Sequence, residues 1–173
     1  MYGANDPTDH RFQDLDYRIL VNGAISLFYR QDVLDDAVQW FNSHNYHVYR
    51  LDCTSWESED DFHRDIARVL NLPDYYGANL DAFNDSLGDL ELPEGGGIAL
   101  VFVRYDIFAQ RLPTLAQTVL DIIEINSRLF LLYSWAKMVA LIQSDDPQIR
   151  FERVGARPVD WNPREWLNKD RGL

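Results

Sequence analysis

Two short, almost entirely apolar runs constrain the fold of this chain more than any other feature. Residues 98–103 read Ile-Ala-Leu-Val-Phe-Val, and residues 138–143 read Met-Val-Ala-Leu-Ile-Gln. A strand with one solvated face alternates apolar and polar residues, whereas a strand covered on both faces can be apolar throughout. Both runs have the length of strands and contain β-branched residues. They predict two buried strands of a parallel sheet that is flanked by helices.

Helical and extended patterns alternate along the rest of the chain. Alternation of this kind favours an α/β fold whose parallel strands are joined by right-handed crossovers. Apolar spacing predicts helices over residues 31–42, 58–70 and 113–126 (the last prolonged toward Trp135), strands over 47–52 and 149–154, and a short terminal helix beginning at Asn162-Pro163. In residues 17–29, Asn22-Gly23 separates two β-rich runs, which is typical of a two-residue hairpin turn. The sequence therefore predicts a small, mainly parallel sheet with an added N-terminal β-hairpin and helix.

The segment from Val69 to Val103 carries acids and no counter-charge. It contains no Lys or Arg, and its acids are Asp74, Asp81, Asp85, Asp89, Glu91 and Glu94. Such a segment creates a local negative field, and its natural partner is a cation-rich surface.

A short helix is predicted inside this segment. Asn79 is a good N-cap, because its side-chain oxygen can accept a free N–H of the first turn. Gly77 is expected to supply the positive φ of the preceding turn. Asp81 and Asp85 lie one turn apart on the outer face. The apolar positions fall on the opposite stripe and face a core: Leu80, Phe83 and Leu87.

The acidic face has three interpretations. It is either a solvated polar surface, a binding surface, or a carboxylate pair that holds a cation or acts in acid–base catalysis. Two adjacent tyrosines, Tyr75 and Tyr76, precede the helix, and aromatic residues beside charges are typical of binding hot spots. Both carboxylates lie on one exposed helix without a third ligand. The sequence therefore favours binding and predicts no metal site, no cofactor and no enzymatic activity.

Composition limits the classes of partner and the compartment. The formal net charge is −12 and the pI is about 4.6, which disfavours nucleic acid and favours a basic protein partner. Residues 1–16 are polar and acidic, unlike a signal peptide, and no apolar run is long enough to span a membrane. The single cysteine, Cys53, excludes an intramolecular disulfide. These features predict a cytoplasmic protein that binds neither nucleic acid nor membrane.

Residues 72–87 resemble a segment of the barstar family of intracellular ribonuclease inhibitors. They read Leu-Pro-Asp-Tyr-Tyr-Gly-Ala-Asn-Leu-Asp-Ala-Phe-Asn-Asp-Ser-Leu, a long and unusual pattern. A chain of 173 residues has the length of one domain, and the resemblance implies a barstar-like core at about 46–144. Residues 1–45 and 145–173 are then extensions that the small inhibitor lacks.

The resemblance also implies roles for individual residues. Asp85 matches the acid that enters the nuclease active site, where cationic groups would otherwise hold an RNA phosphate. Asp81 matches a second interface acid, and Tyr75 and Asn79 match contact positions. Tyr76 matches a position that is either a contact or part of the scaffold.

Two matched positions depart from the family, and a third rests on a loose alignment. Asn84 stands where barstar has a tryptophan, and Gly88 stands where it has a threonine. The loss of a large aromatic anchor suggests a cognate enzyme other than barnase. Barstar also uses an acid on a later helix, for which Glu124 is the nearest candidate.

The sequence therefore supports a non-enzymatic inhibitor or immunity protein that blocks a basic ribonuclease, or a similar toxin, by charge mimicry. The alternative is a regulatory or scaffolding domain that uses the same acidic helix for a partner that is not a nuclease. In that case the two extensions would supply the specificity.

Overall fold

The computed structural model describes residues 14–173. Its helices are α1 (Leu15–Asn22), α2 (Gln31–Ser43), α3 (Glu59–Val69), α4 (Leu80–Gly88), α5 (Tyr105–Arg111) and α6 (Pro113–Tyr133). Its strands are β1 (Ile25–Phe28), β2 (Tyr46–Asp52), β3 (Gly97–Val103), β4 (Lys137–Gln143) and β5 (Asp160–Trp161). Short 3-10 turns lie at Cys53–Ser55, Pro163–Glu165 and Asn168–Arg171. Most of the polar and acidic N-terminal stretch, residues 1–13, lies outside the described residues.

The five strands form one parallel sheet in the order β2-β3-β4-β1-β5. The α/β class and the mainly parallel sheet are therefore confirmed. The two apolar runs occupy the centre of this sheet as β3 and β4, and every residue of β3 is buried. A central strand is shielded on both faces, which is why these runs do not alternate.

Two apolar clusters cover the two faces of the sheet. Ala99 and Val101 pack toward α1 and α2, together with Ile19 and Phe41. The alternate residues of β3 point the other way and pack against α3 to α6. That second cluster includes Leu100, Phe102, Phe62, Phe83, Leu87 and Ile123. The acidic helix α4 is thus held by the larger core, on the face opposite α1 and α2.

The predicted N-terminal β-hairpin is wrong. Residues 15–22 form helix α1, and β1 pairs in parallel with β4 and β5. Asn22 is the last residue of α1, and Gly23, with a φ of 132°, is its C-cap. The Asn-Gly pair therefore ends a helix, a second common use of glycine.

A buried polar cluster fixes α1 on the sheet. The Asp16 carboxylate accepts hydrogen bonds from Tyr46 Oη and Lys137 Nζ, each at 2.6 Å. Burial alone would raise the pKa of Asp16, but these bonds outweigh it and hold the pKa below its ordinary value. Tyr46 begins β2 and Lys137 begins β4, so one side chain ties the helix to two strands.

The predicted strand at residues 149–154 is also wrong, and the C-terminal edge strand of the sheet is β5. The backbone N–H of Glu152 donates to Gln117 Oε1, and its C=O accepts from Gln117 Nε2. A side chain of α6 thus satisfies the groups that a neighbouring strand would otherwise pair. The Asn162 cap is confirmed, but it begins a 3-10 turn, and Trp166 and Leu167 lie between two such turns.

Candidate functional site

Helix α4 begins and packs as its sequence predicts. Asn79 Oδ1 accepts the Ala82 N–H at 2.8 Å, which confirms the N-cap. Phe83 and Leu87 are completely buried, and Leu80 is half-buried against the same core. The positive φ of the preceding turn belongs to Ala78, at 47°, so the expectation for Gly77 is wrong. A Cβ added at Gly77 would lie 3.3 Å from the Ala82 Cβ, so the lack of a side chain on Gly77 lets the turn pack closely against α4.

The six acids of the segment all lie on the surface. Asp81 and Asp85 are exposed on the outer face of α4, and neither forms an ion pair with any residue of the described range 14–173. Asp74, Asp89, Glu91 and Glu94 are exposed around them. Isolated carboxylates at the surface keep their full hydration shell, which only a strongly cationic partner can replace favourably.

The two tyrosines before α4 have different environments. Tyr75 is 88% exposed, which is unusual for an aromatic ring. Tyr76 is half-buried, and its Oη lies 2.6 Å from Nδ1 of the buried His63. Burial, with Glu59 nearby, raises the pKa of Tyr76 to about 12. Tyr75 is therefore free for contact, whereas Tyr76 belongs to the scaffold that holds the turn against α3.

A groove of about 770 Å³ runs between this tyrosine turn and α4. Its walls combine apolar side chains with three carboxylates. The apolar side chains include Tyr49, Leu70, Leu72 and Leu90, and the acids are Asp85, Asp89 and Glu91. The groove can receive the stem of a long basic side chain while a carboxylate meets its charged end.

Asn84 and Gly88 lie where α4 meets α6. Asn84 Oδ1 accepts a hydrogen bond from Asn126 Nδ2 at 2.9 Å. A Cβ on Gly88 would lie 3.6 Å from Asn126 Oδ1. Asn84 is therefore engaged within the protein, and it does not present the large anchor that an aromatic side chain would.

Glu124 does not belong to the acidic surface. It is 5% exposed, and its Oε2 accepts the Ala24 N–H at 2.7 Å, at the junction between α1 and β1. Burial raises the pKa of Glu124 above its ordinary value, although Ala24, Arg128 and Arg157 oppose that shift. Glu124 is therefore a structural carboxylate, and a partner cannot reach it in this structure.

Glu124→Gln is expected to change stability in a pH-dependent way. A carboxyl with a raised folded pKa contributes stability below its unfolded pKa of about 4.3 and loses it as the pH rises through the folded value. Glutamine keeps an acceptor for Ala24, so the difference should stay within about 1 kcal/mol at pH 4. The variant should then gain relative to the wild type at pH 7. Urea midpoints at both pH values test this, and a relative loss at pH 7 would contradict it.

His63 is the site residue that sequence reasoning missed. It is 1% exposed, and its ring contacts both Tyr76 and Glu59. Its position beside Phe62 and three residues before Ile66 on α3 was a usable signal, since both neighbours are core residues. In residues 14–173, no group of three acidic, histidine or cysteine side chains could hold a metal ion.

Fold and site together define an α/β protein that exposes an unpaired acidic helix beside an aromatic side chain. Residues 46–131 match the model of the Barstar (barnase inhibitor) family, and through these residues the chain belongs to the barstar family. The match begins at the first residue of β2 and ends two residues before the end of α6. It contains every residue from Tyr75 to Gly88 named above, so the family resemblance is confirmed.

No curated protein matches the chain. Among the helices of the described residues, none combines the length and the apolar character that a membrane span requires. The barstar family is one of inhibitors rather than catalysts.

Proposed function

We propose that this protein is a non-enzymatic inhibitor, or immunity protein, that binds a basic ribonuclease or ribonuclease-like toxin and blocks its active site. The observation that carries the proposal is the exposed, unpaired state of Asp81 and Asp85 beside Tyr75. Membership of the barstar family supports the same class of partner.

The proposed mechanism is electrostatic and steric. A ribonuclease active site holds cationic groups that bind the phosphate of RNA. The carboxylate of Asp85 would occupy that position, and Asp81 would pair with basic residues at its rim. Burial of these charges is favourable only if the partner supplies matching cations and hydrogen bonds. The net charge of −12 would accelerate the encounter by long-range steering.

The cognate enzyme is proposed to differ from barnase. By the resemblance of residues 72–87, Asn84 stands where barstar has a tryptophan, and here its side chain accepts a hydrogen bond from Asn126. A partner of this chain would therefore meet a smaller, more polar surface at that point. We place the interaction in the cytoplasm, which suits a chain whose single cysteine is a free, buried thiol.

The decisive experiment is capture from native cytoplasm followed by an RNA-cleavage assay. Immobilised wild-type protein should retain a basic ribonuclease whose activity falls in stoichiometric proportion to added inhibitor. Asp85→Asn should lose this capture. Glu152→Gln removes the same charge from an exposed side chain on the C-terminal segment and should retain it. Capture that is equal for all three proteins would refute the proposal.

Salt provides a second test of the same mechanism. Association should slow markedly as ionic strength rises, while dissociation should change little, because screening acts on the long-range encounter. Stopped-flow association that stays constant from low to physiological salt would count against charge mimicry.

Tyr75→Ala is expected to weaken partner binding by about 1–2 kcal/mol, mainly through faster dissociation. Tyr75→Phe should cost less, because it keeps the ring and removes only the hydroxyl. Stability should change little in both variants, since the side chain is 88% exposed. Surface plasmon resonance and urea unfolding should be run on the same preparations. If Tyr75→Ala unfolds the protein, the residue belongs to the core and the interface is misplaced.

One observation favours the alternative, a regulatory or scaffolding domain. A second groove, of about 700 Å³, lies between α1, α2 and the C-terminal segment, and it includes Ile19, Phe28, Trp40 and Trp166. All of its lining residues lie outside 46–131. Capture of a partner that cleaves no RNA, lost on Trp40→Ala but kept on Asp85→Asn, would support this second function.

A further inference from the structure

An apolar ridge runs along the C-terminal half of α6 and into the loop that follows. We define the α6 ridge as Ile125, Leu129, Leu132, Tyr133 and Trp135. All five side chains are exposed, from 42% for Ile125 to 89% for Trp135. The first three recur at intervals of four and three residues, so they lie in one row on the outer surface of the helix.

The concentration of apolar groups here is unusual for the molecule. Six of the twelve large exposed hydrophobic side chains in the described residues fall between Ile125 and Trp135. Single exposed apolar residues are common, but a contiguous patch usually marks an interaction surface. Trp135 also has a φ of 55°, a left-handed conformation that is costly for a residue with a side chain. The backbone thus holds a tryptophan outward at the end of the ridge.

The stretch that carries the ridge lacks the negative charge that surrounds α4. Residues 125–144 contain no acid, and this is the longest acid-free stretch in a chain of net charge −12. Its two basic residues are engaged: Arg128 donates to the Gly155 carbonyl, and Lys137 pairs with Asp16. A basic partner therefore has nothing to pair with on the ridge. A second acidic copy of the chain, by contrast, meets the least repulsion here.

We propose that the α6 ridge binds the α6 ridge of a second copy of this chain around a two-fold axis. A row of apolar side chains two turns long is self-complementary when two helices cross, because the ridge of each packs into the groove of the other. The axis would bring Leu129, near the middle of the row, close to its counterpart. The proposed dimer uses a surface other than the outer face of α4, so its test is independent of the test of the inhibitor function.

Sedimentation velocity across a concentration series tests the dimer. Wild-type protein should shift from the monomer mass toward the dimer mass as concentration rises. Leu129→Arg places like charges near the axis and should abolish that shift. Leu167→Arg is the matched control, because Leu167 is 51% exposed and lies on the C-terminal segment, outside the ridge. Urea midpoints of both variants confirm that each remains folded.

Cross-linking provides an independent readout. The native cysteine, Cys53, is buried, so Leu129→Cys introduces a single accessible thiol. Mild oxidation should convert most of this variant into a disulfide-linked dimer, whereas Leu167→Cys should remain mainly monomeric.

Three outcomes would overturn the proposal. The first is a monomer mass at every concentration with no preferential cross-linking at position 129. The second is a dimer that persists in Leu129→Arg or is lost equally in Leu167→Arg, since the interface would then lie elsewhere. The third is a monomer in solution that floats with phosphatidylcholine–phosphatidylglycerol vesicles through Leu129 and Trp135, since the ridge would then face lipid.

Discussion

Asp85→Asn is expected to weaken partner binding by about 2 kcal/mol or more, roughly a 30-fold loss of affinity, without loss of stability. In the free protein the carboxylate lies one turn from Asp81 and pairs with no cation of the described chain. Relief of that like-charge pair should leave the free energy of unfolding unchanged or raise it by about 0.2–0.5 kcal/mol. In the proposed complex the same carboxylate would be desolvated among cationic groups, and its removal would leave those groups unpaired. The hot-spot scale includes the barnase–barstar complex itself, so this magnitude follows from membership of the barstar family.

Urea midpoints and partner affinity should therefore be measured side by side for Asp85→Asn. Glu152→Gln is the charge-matched control, because its side chain is exposed and lies outside residues 46–131. It should preserve both the midpoint and the equilibrium affinity. If Asp85→Asn instead lowers stability by more than about 1 kcal/mol and keeps its affinity, then Asp85 is a structural residue, and the inhibitor proposal loses its central group.

Local physical rules were sufficient for the centre of the fold and for the acidic helix. The apolar runs at β3 and β4 predicted buried strands because only complete coverage permits such composition. Asn79 was predictable as a cap because a single side-chain oxygen completes the first turn of α4. The exposure of Asp81 and Asp85 followed from their position opposite Phe83 and Leu87. Each of these features depends on residues that are close in sequence.

The errors arose where partners are distant in sequence. Residues 15–22 become a helix because Asp16 meets Tyr46 and Lys137, which lie 30 and 121 residues away. The preference of Asn-Gly for hairpin turns reflects local backbone conformation alone, so it cannot predict such a cluster. Residues 149–154 fail to pair as a strand because Gln117, on α6, satisfies the backbone of Glu152.

Glu124 illustrates the same limit at the candidate site. Spacing along α6 places a carboxylate on a face but cannot say which element covers that face. The Ala24 N–H, 100 residues away, accounts for its burial. The role of His63 was not predictable for the same reason, because it depends on contact with Tyr76, which lies in the turn before α4.

The second large effect concerns the C-terminal segment, where Glu165→Ala is expected to lower the free energy of unfolding by about 3 kcal/mol. Glu165 is completely buried, and its carboxylate accepts the backbone N–H groups of Tyr29 and Arg30, each at 2.8 Å. It also accepts from Asn162 Nδ2 at 2.6 Å. The two N–H groups stand at the start of α2, where the helix dipole favours a negative charge. Alanine removes the acceptor from two part-buried donors and from the buried Asn162 amide, and a buried donor left unsatisfied costs roughly 1–3 kcal/mol.

This prediction also tests the proposal that residues 1–173 fold as one domain. If the C-terminal segment belongs to the same cooperative unit, Glu165→Ala should shift the whole urea transition to lower concentration and keep it single. Glu152→Ala is the matched control, since it truncates an exposed glutamate of the same segment and should change the midpoint little. A wild-type midpoint for Glu165→Ala would show that its hydrogen bonds are dispensable. An early, separate transition would show that the C-terminal segment unfolds independently of the sheet. The lost acceptor would then release only the contact between this segment and the start of α2, and the core around β3 and β4 would stay intact.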